Sequence, residues 1–202
     1  MAISAEQVNE FWFGQIVNEL AEPGRESIWY AGGEAVDNQI RQRFSQALEM
    51  AARDELNHWL EMPRGRLAMI LLFDQFSRNI YRGQAQAFAY DDKALCLCQE
   101  GIALGQDVAL SLVERLFFYH PLEHAEDLNC QQDVVNKFTA LAQQYPRGQQ
   151  HNIAQNALKY AVEHRDIIAR FGRFPHRNEI LGRNSTEQEK HYLSSGGKRF
   201  GQ

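Results

Sequence analysis

Apolar residues recur through this chain at the three- and four-residue spacing of a helix, and no run alternates apolar with polar residues in a way that demands a strand. That period confines the fold to helix-on-helix packing. Ser4 and Gln7 have the spacing of a capping box, opening a helix that carries Val8, Phe11, Trp12 and Val17. Pro23-Gly24 and Gly32-Gly33 interrupt the pattern, and Asp37 to Leu60 reads as helix with a break near Arg53-Asp54. Pro63 suits the first turn of a helix running through Leu67 to Leu72 as far as Tyr81 and stopping at Gly83. Further helices are predicted over 85–104, 108–119, 123–145 and 149–171, with a last short one over 187–193 after a Ser185/Thr186 cap. About eight or nine helices joined by short Gly/Pro links make stacked antiparallel pairs. The expectation is one all-α domain over 1–202 with a short flexible tail from about residue 195.

Composition removes several classes of function. At 44% hydrophobic and 23% charged residues the chain has the balance of a soluble globular protein, and its net charge of -5 argues against a nucleic-acid partner. The longest apolar run, Leu67 to Phe73, is too short to span a membrane, and no basic or apolar leader opens the sequence. Cytoplasmic residence without a membrane partner is expected. Cys96, Cys98 and Cys130 form no disulfide framework and lack zinc-knuckle spacing, so they are read as buried reduced thiols.

Charge is unevenly placed. Between His164 and Arg183, Arg165, Arg170, Arg173, Arg177 and Arg183 face only Asp166 and Glu179, whereas Pro121 to Val135 carries Glu123, Glu126, Asp127 and Asp133 with no Lys or Arg. In the stretch Arg170 to Asn178, Arg173, His176, Arg177 and Asn178 are interleaved with Phe171, Phe174 and Pro175. Guanidiniums held beside an aromatic floor need acidic partners or an anionic ligand. Phe76-Ser77-Arg78-Asn79 echoes Phe174-Pro175-His176-Arg177-Asn178. Asp74, Arg78 and Arg82 are spaced i, i+4, i+8 along one helix face: an anion clamp, or an ion network extended to Glu123, Glu126 or Asp127.

His120-Pro121-Leu122-Glu123-His124 has the spacing of an inverted zincin motif. Pro121 is expected to start a helix or sit in a turn, which spoils the geometry that two metal-binding histidines need, and no metal site is predicted. His124 and Asp127, and Asp127 and Gln131, would share a face of the helix after Pro121. A His-Asp pair there is an oriented general base or a hydrogen-bonded core histidine. His164 lies on an apolar face and reads as core. No nucleophile elbow, phosphate-cradling loop or dinucleotide fingerprint is present, and no cofactor is expected.

Long strings of odd composition carry a resemblance to a known family. They are Phe11-Trp12-Phe13-Gly14, Asp74 through Gly83, Phe88-Ala89-Tyr90-Asp91, Pro121 through Leu128, and Arg170 through Arg183. On these the chain resembles a bacterial family catalogued as domain of unknown function 924, over nearly its whole length. Ser77 stands where the family is expected to carry proline, and His120 where an apolar residue is expected. The resemblance implies a tetratricopeptide-like right-handed helical array and brings no established activity, substrate or cofactor.

Three functional readings stay open. In the first, a polar pocket binds a small anionic or zwitterionic ligand between Arg78, Arg82, Arg173 and Arg177 on one wall and Glu123, His124 and Asp127 on the other. Asp74, Asn79, His176 and Asn178 complete that candidate set. In the second, the same residues form a buried ion network that only fixes helix register, and the outer surface meets a protein partner. In the third, His124 with Asp127 serves as the base of a hydrolase.

Overall fold

The computed structural model describes residues 3–30 and 32–200, and among these every named element is helical apart from an isolated bridge between Val17 and Leu20. Ser4 caps α1 (Ala5–Phe13), and its own N–H donates to Gln7 Oε1 at 2.9 Å. After α2 (Glu26–Trp29), α3 (Glu34–Ala52) stops at the break expected near Arg53-Asp54, and the chain passes a 3₁₀ turn at Asn57–Glu61. Pro63 then opens α4 (Pro63–Ile70), where its missing N–H costs nothing.

The helix begun at Pro63 does not keep an even α period. Residues Leu71–Phe76 form a widened π turn before α5 (Ser77–Ile80). Such turns insert a residue into the helical ladder and are frequent where a side chain has to be aimed at a site. After a 3₁₀ turn at Ala85–Phe88 comes α6 (Asp91–Ala103), so the predicted helix over 85–104 is two elements.

The larger correction lies in α7 (Leu112–His124), which contains Pro121. Proline removes one ladder hydrogen bond, yet the helix continues for a further turn that buries Leu122 and Glu123. The carbonyls left free at its C-terminal end are met from elsewhere. The buried Gln131 amide donates to the carbonyls of Glu123 at 2.6 Å and Ala125 at 2.8 Å. The chain therefore breaks at 125–127, and Asp127 caps α8 (Leu128–Gln144) by accepting from the Cys130 N–H at 2.9 Å. A single helix over 123–145 with His124 and Asp127 on one face does not exist.

The short link 145–147 turns the chain back into α9 (Gly148–Phe171), which packs along α8. Gly172, at φ 68°, ends α9 in the left-handed conformation that glycine favours. A 3₁₀ turn at Pro175–Arg177 and α10 (Glu187–Ser194), with its Thr186/Glu189 capping box, complete the described fold.

Trp12, Phe13, Phe44, Phe76, Phe117, Phe118 and Phe138 make the aromatic centre of the core, supplied by α1, α3, the π segment, α7 and α8. A smaller cluster of Ile167, Ile168 and Phe174, with Phe171, Tyr192 and Phe200 against it, closes the C-terminal end. Cys98 and Cys130 are buried free thiols as expected, whereas Cys96 is exposed. No helix among the described residues is long and apolar enough to cross a membrane.

Gly65 sets how closely α4 approaches the preceding 3₁₀ turn: a Cβ there would lie 2.0 Å from the Trp59 carbonyl oxygen. Because backbone has to yield, Gly65→Ala is predicted to lower unfolding free energy by about 1–3 kcal/mol, read from the urea midpoint.

Candidate functional site

Asp74 projects from the π turn into the interior and is 1% exposed. A carboxylate so placed survives ionised only with compensating charge and hydrogen bonds. His124 Nδ1 lies 2.6 Å from Oδ1, Arg78 Nη2 lies 3.4 Å from the same oxygen, and the Gln75 amide donates to Oδ2. Burial works to raise the Asp74 pKa, but His124 and Arg78 outweigh it and hold the carboxyl below its ordinary value. An ionised carboxylate only accepts, so His124 Nδ1 carries the proton between them and Nε2 is left as the ring nitrogen able to meet a ligand.

Arg78 joins this pair to a second carboxylate. Its two terminal nitrogens straddle Asp91, Nη1 to Oδ1 at 2.8 Å and Nη2 to Oδ2 at 3.2 Å, while Nη1 also donates to the Ala87 carbonyl at 3.1 Å. Arg78 is thus bridged to Asp91, not to Glu123, Glu126 or Asp127 as the sequence suggested. Arg177 approaches the same place from the Pro175–Arg177 turn. Its Nη1 is 3.0 Å from the His124 carbonyl and 3.8 Å from Asp91 Oδ2. Both guanidiniums stack on Phe88, Arg78 at 5.2 Å and Arg177 at 5.0 Å, and Arg177 also lies 4.5 Å from the Phe174 ring. Burial, with Arg78 close by, pushes the Arg177 pKa down to about 10, still well above neutrality.

A second histidine–carboxylate pair sits one residue along. His164 Nδ1 is 3.0 Å from Glu123 Oε1 and 2.8 Å from the Tyr160 carbonyl. Burial raises the Glu123 pKa, but the neighbouring histidines, His164 foremost, bring it below its usual value. His120 lies between the pairs, its Nδ1 3.3 Å from the Gln75 amide and its Nε2 3.9 Å from Glu123. Burial pushes its pKa down to about 4, so at neutral pH it is uncharged.

Over the first pair opens a pocket of about 350 Å³. Asp74, His124, Asp91, Asp92, Asp127 and Arg177 supply polar walls, and Phe88, Leu95 and Pro121 an apolar one. Of the residues singled out in the sequence, Asp74, His124, Asp127 and Arg177 meet there, with Arg78 behind Asp91. Glu123 faces His164 instead. Asn79 and Arg82 are turned to Asp37, at 2.8 Å for the amide and 2.6 and 2.9 Å for the guanidinium, and tie α5 to α3. Arg173 is held by Glu189 at 2.7 and 2.9 Å. Asn178 bonds Ser185 and Arg183, both at 3.0 Å, and the His176 ring lies against Phe174 at 5.6 Å. His124 and Asp127 do not pair: the partner of His124 is Asp74, and Asp127 is spent partly on its cap. Among the described residues no group of His, Cys, Asp and Glu could hold a metal ion.

Asp91, Phe88, Gln75 and the Glu123–His164 contact were not assigned from sequence. The string Phe88-Ala89-Tyr90-Asp91 was visible, but local spacing could not show that two distant arginines converge on it.

An all-α protein whose helices enclose a compensated ionic centre beside an open pocket is the class that this geometry defines. The chain matches, over residues 8–197, the family described as bacterial protein of unknown function (DUF924), and it belongs to that family. A solved structure of a protein of unknown function, ATU0120 from Agrobacterium tumefaciens, is 40% identical, covering 95% of this chain and 97% of that one with a TM-score of 0.80. No curated protein matches the chain.

Removing Asp74 leaves Arg78 without one of its two carboxylates and the His124 Nδ1 proton without its acceptor. Asp74→Ala is predicted to cost about 3–5 kcal/mol at pH 7 in denaturant unfolding. Because the folded pKa lies below the unfolded one, the Asp74 contribution is complete above the ordinary carboxylate pKa of about 4 and is lost as pH falls towards the folded value. The gap between the two proteins should therefore narrow only in that acid range.

Proposed function

We propose that the pocket over His124 binds a small zwitterionic ligand. The observation that carries this reading is the charge left over once internal pairs are complete. Asp74 and Asp91 are matched by Arg78 and Arg177, and Glu126 by Arg183 at 2.9 Å, whereas Asp92 and Asp127 hold no ion pair among the described residues. Two such carboxylates favour an amine, and Arg177 and His124 offer an acidic group its hydrogen bonds. A dianion would meet net negative charge. The volume of about 350 Å³ suits a metabolite, not a polymer. Stacked neighbours such as α8 with α9 support reading the fold as a tetratricopeptide-like array.

A second reading rests on the 2.6 Å contact of His124 with Asp74. An imidazole oriented by a buried carboxylate is equipped to accept a proton through Nε2, so a ligand with an acidic proton would be a substrate.

Thermal unfolding in the presence of free amino acids, simple amines and dicarboxylates tests the pocket. Amino acids are predicted to stabilise the protein, by about 2.7 kcal/mol at a hundred times the dissociation constant. The shift should weaken in Asp92→Asn and vanish in Arg177→Gln. Stabilisation by dicarboxylates alone would contradict the zwitterion reading. No shift by any compound would leave the ion network as the internal frame of an interaction scaffold.

A further inference from the structure

Beyond α10 the chain runs as a strap over α9 and delivers Phe200 to the inner histidines. Gly197 N–H donates to the Tyr192 carbonyl at 2.9 Å and Lys198 N–H to the Tyr192 hydroxyl at 3.0 Å. The Lys198 ammonium pairs with Glu163 and lies 5.6 Å from the Tyr160 ring. Phe200 then rests flat on His164, with ring centroids 3.6 Å apart and planes at 20°, and meets Phe174 and His176 nearly edge-on at 6.5 and 5.9 Å.

The walls of this slot do not depend on the strap. His164 is fixed by Tyr160 and Glu123, and the Phe174 N–H donates to Glu126 at 2.8 Å. They lie within the residues that match the family, whereas Lys198 and Phe200 lie beyond residue 197. The strap itself is held at exposed points: Lys198 is 49% exposed in its ion pair, Gly196 and Gly197 precede it, and Phe200 sits at φ 50°, which a non-glycine residue adopts at a cost. Its close run past Tyr192 requires glycine, since a Cβ on Gly197 would lie 2.5 Å from the Tyr192 ring and 2.6 Å from its carbonyl oxygen.

We propose that the slot between His164, Phe174 and His176 is a binding site for a flat aromatic ring, that Phe200 occupies it in cis, and that a ring on a free ligand competes with the strap. This site is separate from the zwitterion pocket and does not rest on it. Tethered occupancy lowers the apparent affinity of any competing ring by the fraction of chains whose slot is open.

The uncharged probe 4-fluorophenol, followed by fluorine NMR titration, tests the proposal alongside the His164 ring-proton shifts. In the unmodified chain those protons carry the ring-current shift of Phe200. Phe200→Ala and Gly197→Ala should each lose it, and each should bind the probe at least about tenfold more tightly than the unmodified chain. Gly197→Ala removes no atoms from the slot, so tighter binding there reports a displaced strap and not a hole left by truncation. Loss of the ring-current shift in either variant without tighter probe binding would overturn the proposal. Should Gly197→Ala keep the strap seated, Phe200→Ala decides alone on the same criterion.

Discussion

A carboxylate with almost no access to water has to be neutralised where it stands, and the polar interior of this protein is arranged around that requirement at Asp74. The π turn at Leu71–Phe76 aims it inward from a segment otherwise made of Leu, Phe and Ile. His124 and Gln75 supply hydrogen bonds, and Arg78 supplies charge. Arg78, 3.4 Å from Asp74, also holds Asp91 in a bidentate contact, and the second negative charge is met by Arg177 Nη1 at 3.8 Å from Asp91. Arg177 then closes the site by bonding the carbonyl of His124 and stacking on Phe88 and Phe174. Each step follows from the rule that a partly satisfied buried network is worse than none.

The network also explains how distant segments meet. The π turn, α5, α6, the end of α7 and the Pro175–Arg177 turn each contribute one member, so their relative placement is fixed by charge geometry as well as by the aromatic core. A neutral His120 suits the same logic: it fills the space between two histidine–carboxylate pairs without adding a charge that would need its own partner. Where the acids outnumber their internal partners, at Asp92 and Asp127, the surplus faces the pocket. Buried compensation and the charge presented to the pocket are therefore two parts of one charge distribution.

Much of this was legible in the sequence, and the rest was hidden for identifiable reasons. Helical period, the capping box at Ser4, the cap at Thr186, Pro63 at a helix start and the i, i+4 contact of Asp74 with Arg78 are local properties, and all are present. The likeness of the Phe76–Asn79 and Phe174–Asn178 strings was visible too, but its meaning was not, because Phe88 and Asp91 bring Arg78 and Arg177 together only in three dimensions. Pro121 misled because the loss of one ladder bond is a local penalty, whereas burial of Leu122 and Glu123 and the donations from Gln131 that offset it are tertiary. The π turn left no periodic signature, and past the end of α5 Arg82 no longer shares the face of Asp74 and turns to Asp37.

Heteronuclear NMR of the His124 imidazole tests the dependence of the site on Asp74 most directly. An ionised Asp74 predicts a ring that carries a proton on Nδ1, with that proton shifted far downfield by its short hydrogen bond to the carboxylate. The downfield shift should disappear in Asp74→Ala. A neutral ring protonated on Nε2 with Nδ1 bare in the unmodified protein would contradict it, since Nδ1 would then have no proton to give to the carboxylate on which the rest of the network is built.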